Sequence, residues 1–136
     1  EGRRRARTLK SRPTSSEVPG MRIPGSSAAV SAIAAESLRL AVSAGNVANA
    51  STDGYRARRV VNEALPSGEV RARVGEAPEP SGAVLADDDG RDRVLSDVDV
   101  GSEVVVRISA QRALEASLAV LRTGDEMLQA LIATKG

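Results

Sequence analysis

The sequence predicts a mainly α-helical fold in which two long terminal helices pair as an antiparallel coiled-coil-like hairpin, with a small β-hairpin and loop insertion between them. Near both ends, apolar residues recur at alternating spacings of three and four, which is typical of helices that pack along a seam. The stretch between them alternates polar and apolar residues and is divided by turn-forming residues, which favours short strands. Because the chain has almost no large aromatic side chains, burial along helices suits it better than a compact globular core.

The residue types that the chain lacks exclude most catalytic and metal chemistry. Its 136 residues contain no histidine and no cysteine, which removes the usual zinc ligands, thiol nucleophiles and Ser-His-Asp triads. A calcium loop is disfavoured, because alignment of Gly90 with the glycine of an EF-hand loop places Leu85 where the first ligand belongs. The acidic run at 87–92 therefore indicates a solvated turn. We expect no catalytic residue, no cofactor, no bound metal and no small-molecule substrate.

Residues 1–26 are predicted to be a disordered basic head. Six basic and two acidic side chains occupy residues 1–20, whereas 13 basic and 16 acidic ones follow, and the head is poor in apolar residues. Three interpretations stay open: a basic arm for nucleic acid or an anionic membrane, a transit peptide, which the missing apolar face disfavours, or an extension ahead of a true start at Met21. No apolar run of the roughly 20 residues that a membrane span needs is evident, and no secretory signal follows the basic residues.

The first predicted helix covers residues 27–50, with Ser26 or Ser27 as its N-cap. At a rise of about 1.5 Å per residue it is roughly 36 Å long. We expect it to end within the Asn46 to Asn49 segment, because asparagine side chains offer the backbone competing hydrogen bonds. Its stripe, at spacings of three and four, consists of Val30, Ile33, Ser37, Leu40, Ala44 and Val47.

Residues 51–98 are predicted to form a turn, a β-hairpin and a loop. Gly54 closes the turn and can supply a positive φ angle. Arg56, Arg58 and Arg59, which follow Tyr55, indicate the charged, solvated edge of a strand rather than a phosphate site. The predicted segments are the turn, two strands and a short third strand within the loop, at 51–54, 55–65, 69–74 and 83–85.

The second predicted helix covers residues 99–136 and is the longer of the two. Asp99 is its expected N-cap, and Glu103 places negative charge near the positive end of the helix dipole while it pairs with Arg107 on the outer face. Because this helix is longer than the first, its overhang leaves apolar surface for a partner. The two seams are predicted to meet through Val30, Ile33, Leu40 and Val47 on the first helix and Leu114, Leu121, Leu128 and Leu131 on the second.

Two motifs at the ends of the chain resemble the signatures of bacterial flagellar axial proteins. Residues 43–56, Ser-Ala-Gly-Asn-Val-Ala-Asn-Ala-Ser-Thr-Asp-Gly-Tyr-Arg, resemble the N-terminal signature, in which a helix ends in an Asn-x-x-Asn segment followed by a Gly-Tyr turn and a basic residue. Residues 96–100, 108–116 and 121–128 look like the matching C-terminal signature. The residues that carry the resemblance are Asn46, Asn49, Gly54, Tyr55, Gln111 and Arg112.

The resemblance covers residues 27–134 and points to the small proximal rod proteins of the FlgC type, because the segment between the two motifs is short. Hook and distal-rod members carry large inserted β-domains at that place. The sequence also departs from the family pattern. A second asparagine is usual where Gly45 stands and proline is frequent where Asp53 stands, whereas tyrosine and asparagine are usual in place of Leu114 and Ser117.

The resemblance implies a structural subunit of the bacterial flagellar basal-body rod. Such a subunit polymerises through its terminal helices, which are disordered before assembly, into the tube that transmits torque and encloses the export channel. The implied partners are other rod subunits and the basal-body export apparatus, and the implied place is the periplasmic rod, reached by flagellar type III export without a cleavable signal peptide.

Two alternatives to a rod subunit remain. One is a soluble coiled-coil adaptor, or a divergent rod paralogue without rod function. The other is a nucleic-acid-binding protein that acts through residues 1–20. Because the rest of the chain is mildly acidic, we expect no nucleic-acid partner, and we expect no direct membrane span.

Overall fold

A computed structural model describes residues 24–76, 82–86 and 89–135. The fold is mainly helical, with small sheets inserted between the two helices, as the sequence predicts. Of the predicted basic head, residues 1–23 lie outside the described residues, whereas 24–26 belong to the first helix. In chain order the elements are α1 (Pro24–Ala48), β1 (Arg58–Ala64), β2 (Val70–Glu76), β3 (Val84–Ala86), β4 (Asp92–Val94) and α2 (Val100–Lys135).

Helix α1 begins at Pro24, because proline fits the first turn of a helix, where its missing N–H removes no hydrogen bond. Ser26 and Ser27 therefore lie inside the helix and are not its N-cap, contrary to the prediction. The helix ends within the predicted asparagine segment. The Asn49 side chain donates from Nδ2 to the Gly45 carbonyl at 2.8 Å, which satisfies one of the carbonyls left unpaired in the last turn.

Strands β1 and β2 form the predicted antiparallel hairpin. Their register runs from Arg58 opposite Glu76 to Ala64 opposite Val70. The turn between α1 and β1 contains Gly54, whose φ is 69°. This is a left-handed conformation that residues with a Cβ rarely adopt, so the prediction of a positive φ at this glycine is confirmed.

A second two-stranded sheet, β3 with β4, follows the hairpin. β3 lies one residue later than predicted, and β4 is absent from the prediction. This sheet is joined to the turn after α1, because the Gly54 N–H donates to the Val94 carbonyl at 2.8 Å and Arg93 forms an ion pair with Asp53 at 2.6 Å. Its register runs from Val84 opposite Val94 to Ala86 opposite Asp92.

Helix α2 begins at Val100 with Asp99 as its N-cap, as predicted. Asp99 Oδ1 accepts hydrogen bonds from the backbone N–H groups of Gly101 at 2.9 Å and Ser102 at 3.3 Å, and the Ser102 hydroxyl donates to Oδ2 at 2.7 Å. These bonds satisfy donors that a helix N-terminus otherwise leaves unpaired. The bonds from Ser102 and Gly101 also hold the pKa of Asp99 below its ordinary value.

Helix α1 packs against both α2 and the β1–β2 hairpin. Its last turns lie beside the start of α2, where Ser43 Oγ donates to the Glu103 carbonyl at 3.3 Å. At its other end, Gly25 lines a groove together with Leu121 and Leu128 of α2. The longer α2 therefore extends past the start of α1.

The centre of this packing is built from the smallest side chains. The larger apolar residues of both helices are half-buried or exposed, which differs from a core of valine, leucine and isoleucine. Helix axes approach most closely where the side chains between them are small, so the closest contacts exclude the bulkier residues. The buried apolar side chains of the described residues are Ala29, Ala35, Ala57 and Ala110.

One described helical segment, Gly25–Ala48, is long and apolar enough to cross a membrane by length and composition. This corrects the expectation that the chain has no such run, although helices inside water-soluble proteins pass the same test. Glu36 and Arg39 lie near the middle of the segment and form an ion pair at 3.1 Å, and charged residues are costly at the centre of a bilayer. The packing of α1 on α2 and the hairpin favours a helix held within a protein.

Candidate assembly site: a polar junction and an apolar groove

A buried cluster of polar side chains joins the end of α1, the start of β1 and the first turn of α2. Glu103 and Asn46 are 1% and 0% exposed, and with Ser43 they are the largest fully buried side chains of the described residues. Buried polar groups are tolerated only when their hydrogen bonds are made within the protein, so the partners of each group decide what the cluster does. We call this cluster the polar junction; it consists of the side chains of Ser43, Asn46, Tyr55, Arg59 and Glu103 together with the backbone of Arg58.

Asn46 links α1 to β1 and to α2 through one amide group. Its Nδ2 donates to the Arg58 carbonyl at 2.8 Å and to Glu103 Oε1 at 3.0 Å. Its Oδ1 accepts from the Arg58 N–H at 2.9 Å and from the Tyr55 hydroxyl at 3.2 Å. Both donor hydrogens and both acceptor positions are therefore used. The exchange with both backbone groups of Arg58 fixes the start of β1 against the end of α1.

Glu103 is the charged centre of the polar junction. Its Oε1 accepts from Asn46 and forms an ion pair with Arg59 Nη1. Burial alone would raise the pKa of Glu103, but hydrogen bonds with Ser43, Arg59 and Asn46 outweigh burial and lower the pKa below its ordinary value. Glu103 is therefore ionised at neutral pH, and it binds the start of α2 to both α1 and β1.

The residues between the turn and β1 are held by Asp97, which precedes α2. The Ala57 N–H donates to Asp97 Oδ1 at 2.5 Å, and the Asp97 N–H donates to the Tyr55 carbonyl at 3.3 Å. These bonds explain why β1 begins at Arg58 and not at Tyr55 as predicted, because the preceding backbone groups are already paired. Asp97 Oδ2 is buried without a hydrogen-bond partner among the described residues, and nothing in those ranges explains it.

The sequence prediction named Asn46 and Tyr55 of the polar junction and placed two other members wrongly. Glu103 is predicted to pair with Arg107 on the outer face of α2, yet it faces inward and pairs with Arg59. Arg59 is predicted to lie on a solvated strand edge, yet it reaches across to α2. A signal for Glu103 was present, because it lies four heptads before Leu131, which belongs to the predicted seam.

An apolar groove lies at the other end of the helix pair, between the first residues of α1 and the later half of α2. Its volume is about 600 Å³, and Val120, Leu121, Met127 and Leu128 are among the residues that line it. Met127 is 69% exposed. Contiguous exposed apolar surface is typical of sites where proteins contact other molecules. We call the exposed apolar residues of this region the uncovered end of α2; they are Val120, Met127, Leu131 and Ile132.

The predicted helix seam is formed only in part within the chain. Val30 is 57% exposed and Leu131 is 60% exposed, so both side chains are largely uncovered within the single chain, and their contact across a seam stays a prediction. On α1 the buried side chains Ala29 and Glu36 lie one position before residues of the predicted stripe. Leu131 lies beyond the start of α1. The other predicted seam residues are half-buried: Ile33, Leu40, Val47, Leu114, Leu121 and Leu128.

The six motif residues fall into two groups. Asn46 and Tyr55 belong to the polar junction, and Asn49 and Gly54 form the helix end and turn beside it. The other two, Gln111 and Arg112, are exposed on α2, so the chain's own fold does not bury them. The N-terminal motif is therefore accounted for by bonds within the chain, whereas a role for the C-terminal pair stays a prediction.

Within residues 24–76, 82–86 and 89–135, no three acidic side chains lie close enough to share a metal ion. The buried carboxylate of Glu103 is neutralised by Arg59, and the groove is lined mainly by apolar residues. Chemically, the two regions can hold elements together and bind another apolar surface.

Comparison with known protein families gives matches at the two ends of the chain that carry the sequence motifs. The family described as "Flagella basal body rod protein" matches residues 27–56, and the one described as "Flagellar basal body rod FlgEFG protein C-terminal" matches residues 95–134. The flagellar basal-body rod protein FlgC of Yersinia enterocolitica is 41% identical over 116 residues, which cover 72% of this chain and 86% of that protein. The chain belongs to the flagellar basal-body rod protein family.

Membership in this family gives the chain a structural role in the flagellar basal body and implies that it is not an enzyme. The two matched ranges hold most of the candidate site of this rod protein. Residues 27–56 contain Ser43, Asn46 and Tyr55, and residues 95–134 contain Glu103 and the α2 side of the groove. The polar junction is thus formed largely by contact between the two matched ends.

Proposed function

We propose that this rod protein is a structural subunit that polymerises through its terminal helices into the tube that transmits torque and encloses the export channel, with α1 and α2 paired as an antiparallel coiled coil. Two observations support the direction of pairing: Ser43 Oγ donates to the Glu103 carbonyl, and Gly25, at the opposite end of α1, lines the same groove as Leu121. The leucines of α2 recur every seven residues, which supports packing of the coiled-coil type.

The observation that carries this proposal is the uncovered end of α2. Because α1 begins at Pro24, no described element of the chain covers Met127, Leu131 or Ile132. A large apolar side chain contributes about 1.5–3 kcal/mol when it is fully buried. Coverage by a neighbouring subunit is therefore favourable, and it would also cover Val30 on α1. Some of the predicted seam residues then pack within the subunit, and the others pack against a neighbouring subunit.

Assembly with other rod and basal-body components follows from family membership. We further propose that the direct neighbours are other rod subunits and the export apparatus. The proposal places this chain in the periplasmic part of the basal body and has it exported without a cleavable signal peptide.

The test compares three variants in isolated basal bodies and in a motility assay. Met127→Asp charges an exposed groove residue without touching the interior of the subunit, and Leu121→Asp charges a half-buried residue of the same groove. Ala133→Asp adds the same charge to α2 at an exposed position outside the groove and serves as the control. We expect Met127→Asp and Leu121→Asp to be absent from basal bodies and non-motile, and Ala133→Asp to be incorporated.

Helix content of the purified Met127→Asp protein, measured by circular dichroism, separates failed assembly from failed folding. A well-folded Met127→Asp protein that is fully incorporated and motile would overturn polymerisation through the groove. Recovery of the unmodified protein only in a soluble fraction, never with basal bodies, would support the coiled-coil adaptor instead.

A further inference from the structure

We propose that Asn46, Glu103 and Arg59 determine the register in which α1 and α2 pair. In this chain, register means which residue of α1 lies opposite which residue of α2. The inference deepens the proposed function, because register decides which part of α2 stays uncovered. Its consequence for assembly rests on that function, whereas the assignment of register does not.

The apolar contacts alone distinguish poorly between registers. Leu114, Leu121 and Leu128 recur at intervals of one heptad, so a slide of α1 by seven residues sets similar side chains against one another. Apolar attraction has no direction and depends chiefly on the area buried. The buried apolar residues are alanines, which have no shape that would lock one arrangement. A chain held only by this seam would populate several registers.

The polar junction does distinguish them. In the observed register, Asn46 Nδ2 lies 3.0 Å from Glu103 Oε1, and Ser43 Oγ lies 3.3 Å from the Glu103 carbonyl. A slide by one turn or more carries Glu103 away from both side chains, and each fully buried group then loses its partner. Unpaired buried polar groups are strongly unfavourable, and removal of one partner leaves the other charge uncompensated. A single buried polar residue is known to fix register in helix pairs in this way.

Strand β1 contributes a second set of bonds that depends on the register of α1 and α2. The backbone of Arg58 exchanges two hydrogen bonds with Asn46, so β1 is fixed to α1 regardless of α2. Arg59, the next residue, then reaches Glu103 of α2. The Arg59 ion pair therefore forms only when α2 lies in the register that brings Glu103 to Asn46. Correct placement of the hairpin on α1 and correct pairing of α1 with α2 therefore depend on each other.

The register in turn positions the groove. Gly25 and Leu121 line it together, and α2 continues to Lys135 beyond that point. A slide of α1 by one turn would move the groove and change which apolar residues remain for a neighbouring subunit. The polar junction at one end of the pair thus sets the shape of the binding surface at the other.

The absence of cysteine from the chain allows a direct measurement of register. Ser26→Cys is combined in turn with Leu121→Cys, Gly124→Cys and Leu128→Cys, and disulfide formation is measured in the purified full chain and in isolated basal bodies. With the polar junction intact, we expect one pair to form faster than the others by about tenfold or more, the ratio that a free-energy difference of about 1.4 kcal/mol gives.

The decisive variant replaces the polar pair with apolar residues, Asn46→Leu with Glu103→Leu. We expect it to keep its helix content but to unfold at a lower midpoint, because Arg59 and the backbone groups of Arg58 lose the partners that Glu103 and Asn46 supply. We also expect its crosslinks to spread over the three pairs, with rates within about threefold of one another. A purely structural role would lower the midpoint as well, but it would leave one dominant pair.

Ser117→Ala is the matched control, because Ser117 is a half-buried polar residue of α2 whose hydroxyl donates only to the Ala113 carbonyl of its own helix, at 2.9 Å. It should leave the crosslink pattern unchanged. If the leucine variant does not fold, Asn46→Ala removes the hydrogen bond between Asn46 and Glu103 with a smaller change in volume. The same crosslinking rates are then measured in that variant. One dominant pair in the folded leucine or alanine variant would overturn the inference, as would the lack of a dominant pair in the unmodified junction.

The outcomes separate this inference from the proposed function. A spread of registers with normal incorporation would sustain the register assignment and refute its consequence for assembly. Incorporation of Met127→Asp would refute polymerisation through the groove and leave the crosslinking result unaffected.

Discussion

The two ends of the helix pair differ in how their side chains are satisfied within one chain. At the end with the polar junction, Asn46 has partners for every donor and acceptor of its amide, and the Glu103 carboxylate is hydrogen-bonded and ion-paired, all inside one subunit. At the end with the groove, Met127 and Leu131 are largely exposed, and no described element covers them. One end has its polar groups paired within the single chain, and the other leaves apolar side chains exposed, which we propose a neighbouring subunit covers.

The difference follows from the physics of the groups involved. Polar partners must be placed to within a few tenths of an ångström, which a single folded chain achieves more readily than two separate ones. Apolar surfaces tolerate sliding and rotation, and they gain free energy in proportion to the area covered. A subunit that carries its polar bonds inside and its apolar surface outside can thus fix its own shape before it binds.

The largest expected effect comes from damage to the end with the polar junction. Glu103→Ala removes the acceptor of Asn46 Nδ2 and the charge opposite Arg59, so both lose a partner in a buried setting. Because Arg59 can turn towards water, we expect a loss of about 2–3 kcal/mol in the free energy of unfolding, measured by denaturant titration. Glu115→Ala, at an exposed position of the same helix, should change stability by no more than about 0.5 kcal/mol. A loss for Glu103→Ala no larger than that of the control would show that the two ends do not differ as described.

A change at the end with the groove should act with opposite signs in the free chain and in the rod. A Cβ at Gly124 meets no atom within 4 Å, and alanine favours helix over glycine by about 0.8–1 kcal/mol. Gly124→Ala should therefore raise the unfolding midpoint of the purified chain. It should also reduce incorporation into basal bodies, because the added methyl group enters a groove that a neighbour fills. Normal incorporation would mean that no partner packs closely at this position.

The smallest expected effect is a dependence of stability on acid. The folded state lowers the pKa of Glu103 from its ordinary value of 4.5 and that of Asp99 from 3.8. Groups with a lowered folded pKa stabilise the fold fully above their ordinary values, and that contribution is lost as pH falls through the lower folded values. We expect the unfolding midpoint to be flat from neutral pH to about pH 5 and to fall below it. Glu103→Gln should make the fall shallower, and a fall of unchanged steepness would contradict a lowered pKa at Glu103.

The elements were largely readable from the sequence, because their determinants are local. The spacing of apolar residues located both helices, Asp99 was identified as an N-cap, and Gly54 was identified as a turn residue with positive φ. The end motifs pointed to the family that the comparisons support. β4 was missed because three residues beside an acidic turn carry little strand signal, and pairing with β3 makes the strand.

The polar junction could not be derived in the same way. Its bonds join residues from three elements, and whether Glu103 faces Arg107 or Arg59 depends on how those elements meet. Burial along α1 could not be derived from the large side chains for a related reason. The stripe was traced through Val30, whereas the buried side chain at that turn is Ala29.

The alanine core has a consequence for conformational entropy. Alanine loses no rotamer freedom when it is buried, so ordering Ala35 or Ala110 costs only the backbone freedom of the chain. A longer side chain at such a position must displace its neighbours, which is destabilising in a packed interior. We therefore expect enlargement of Ala35 or Ala110 to lower the stability of the single chain more than enlargement of the exposed Ala133.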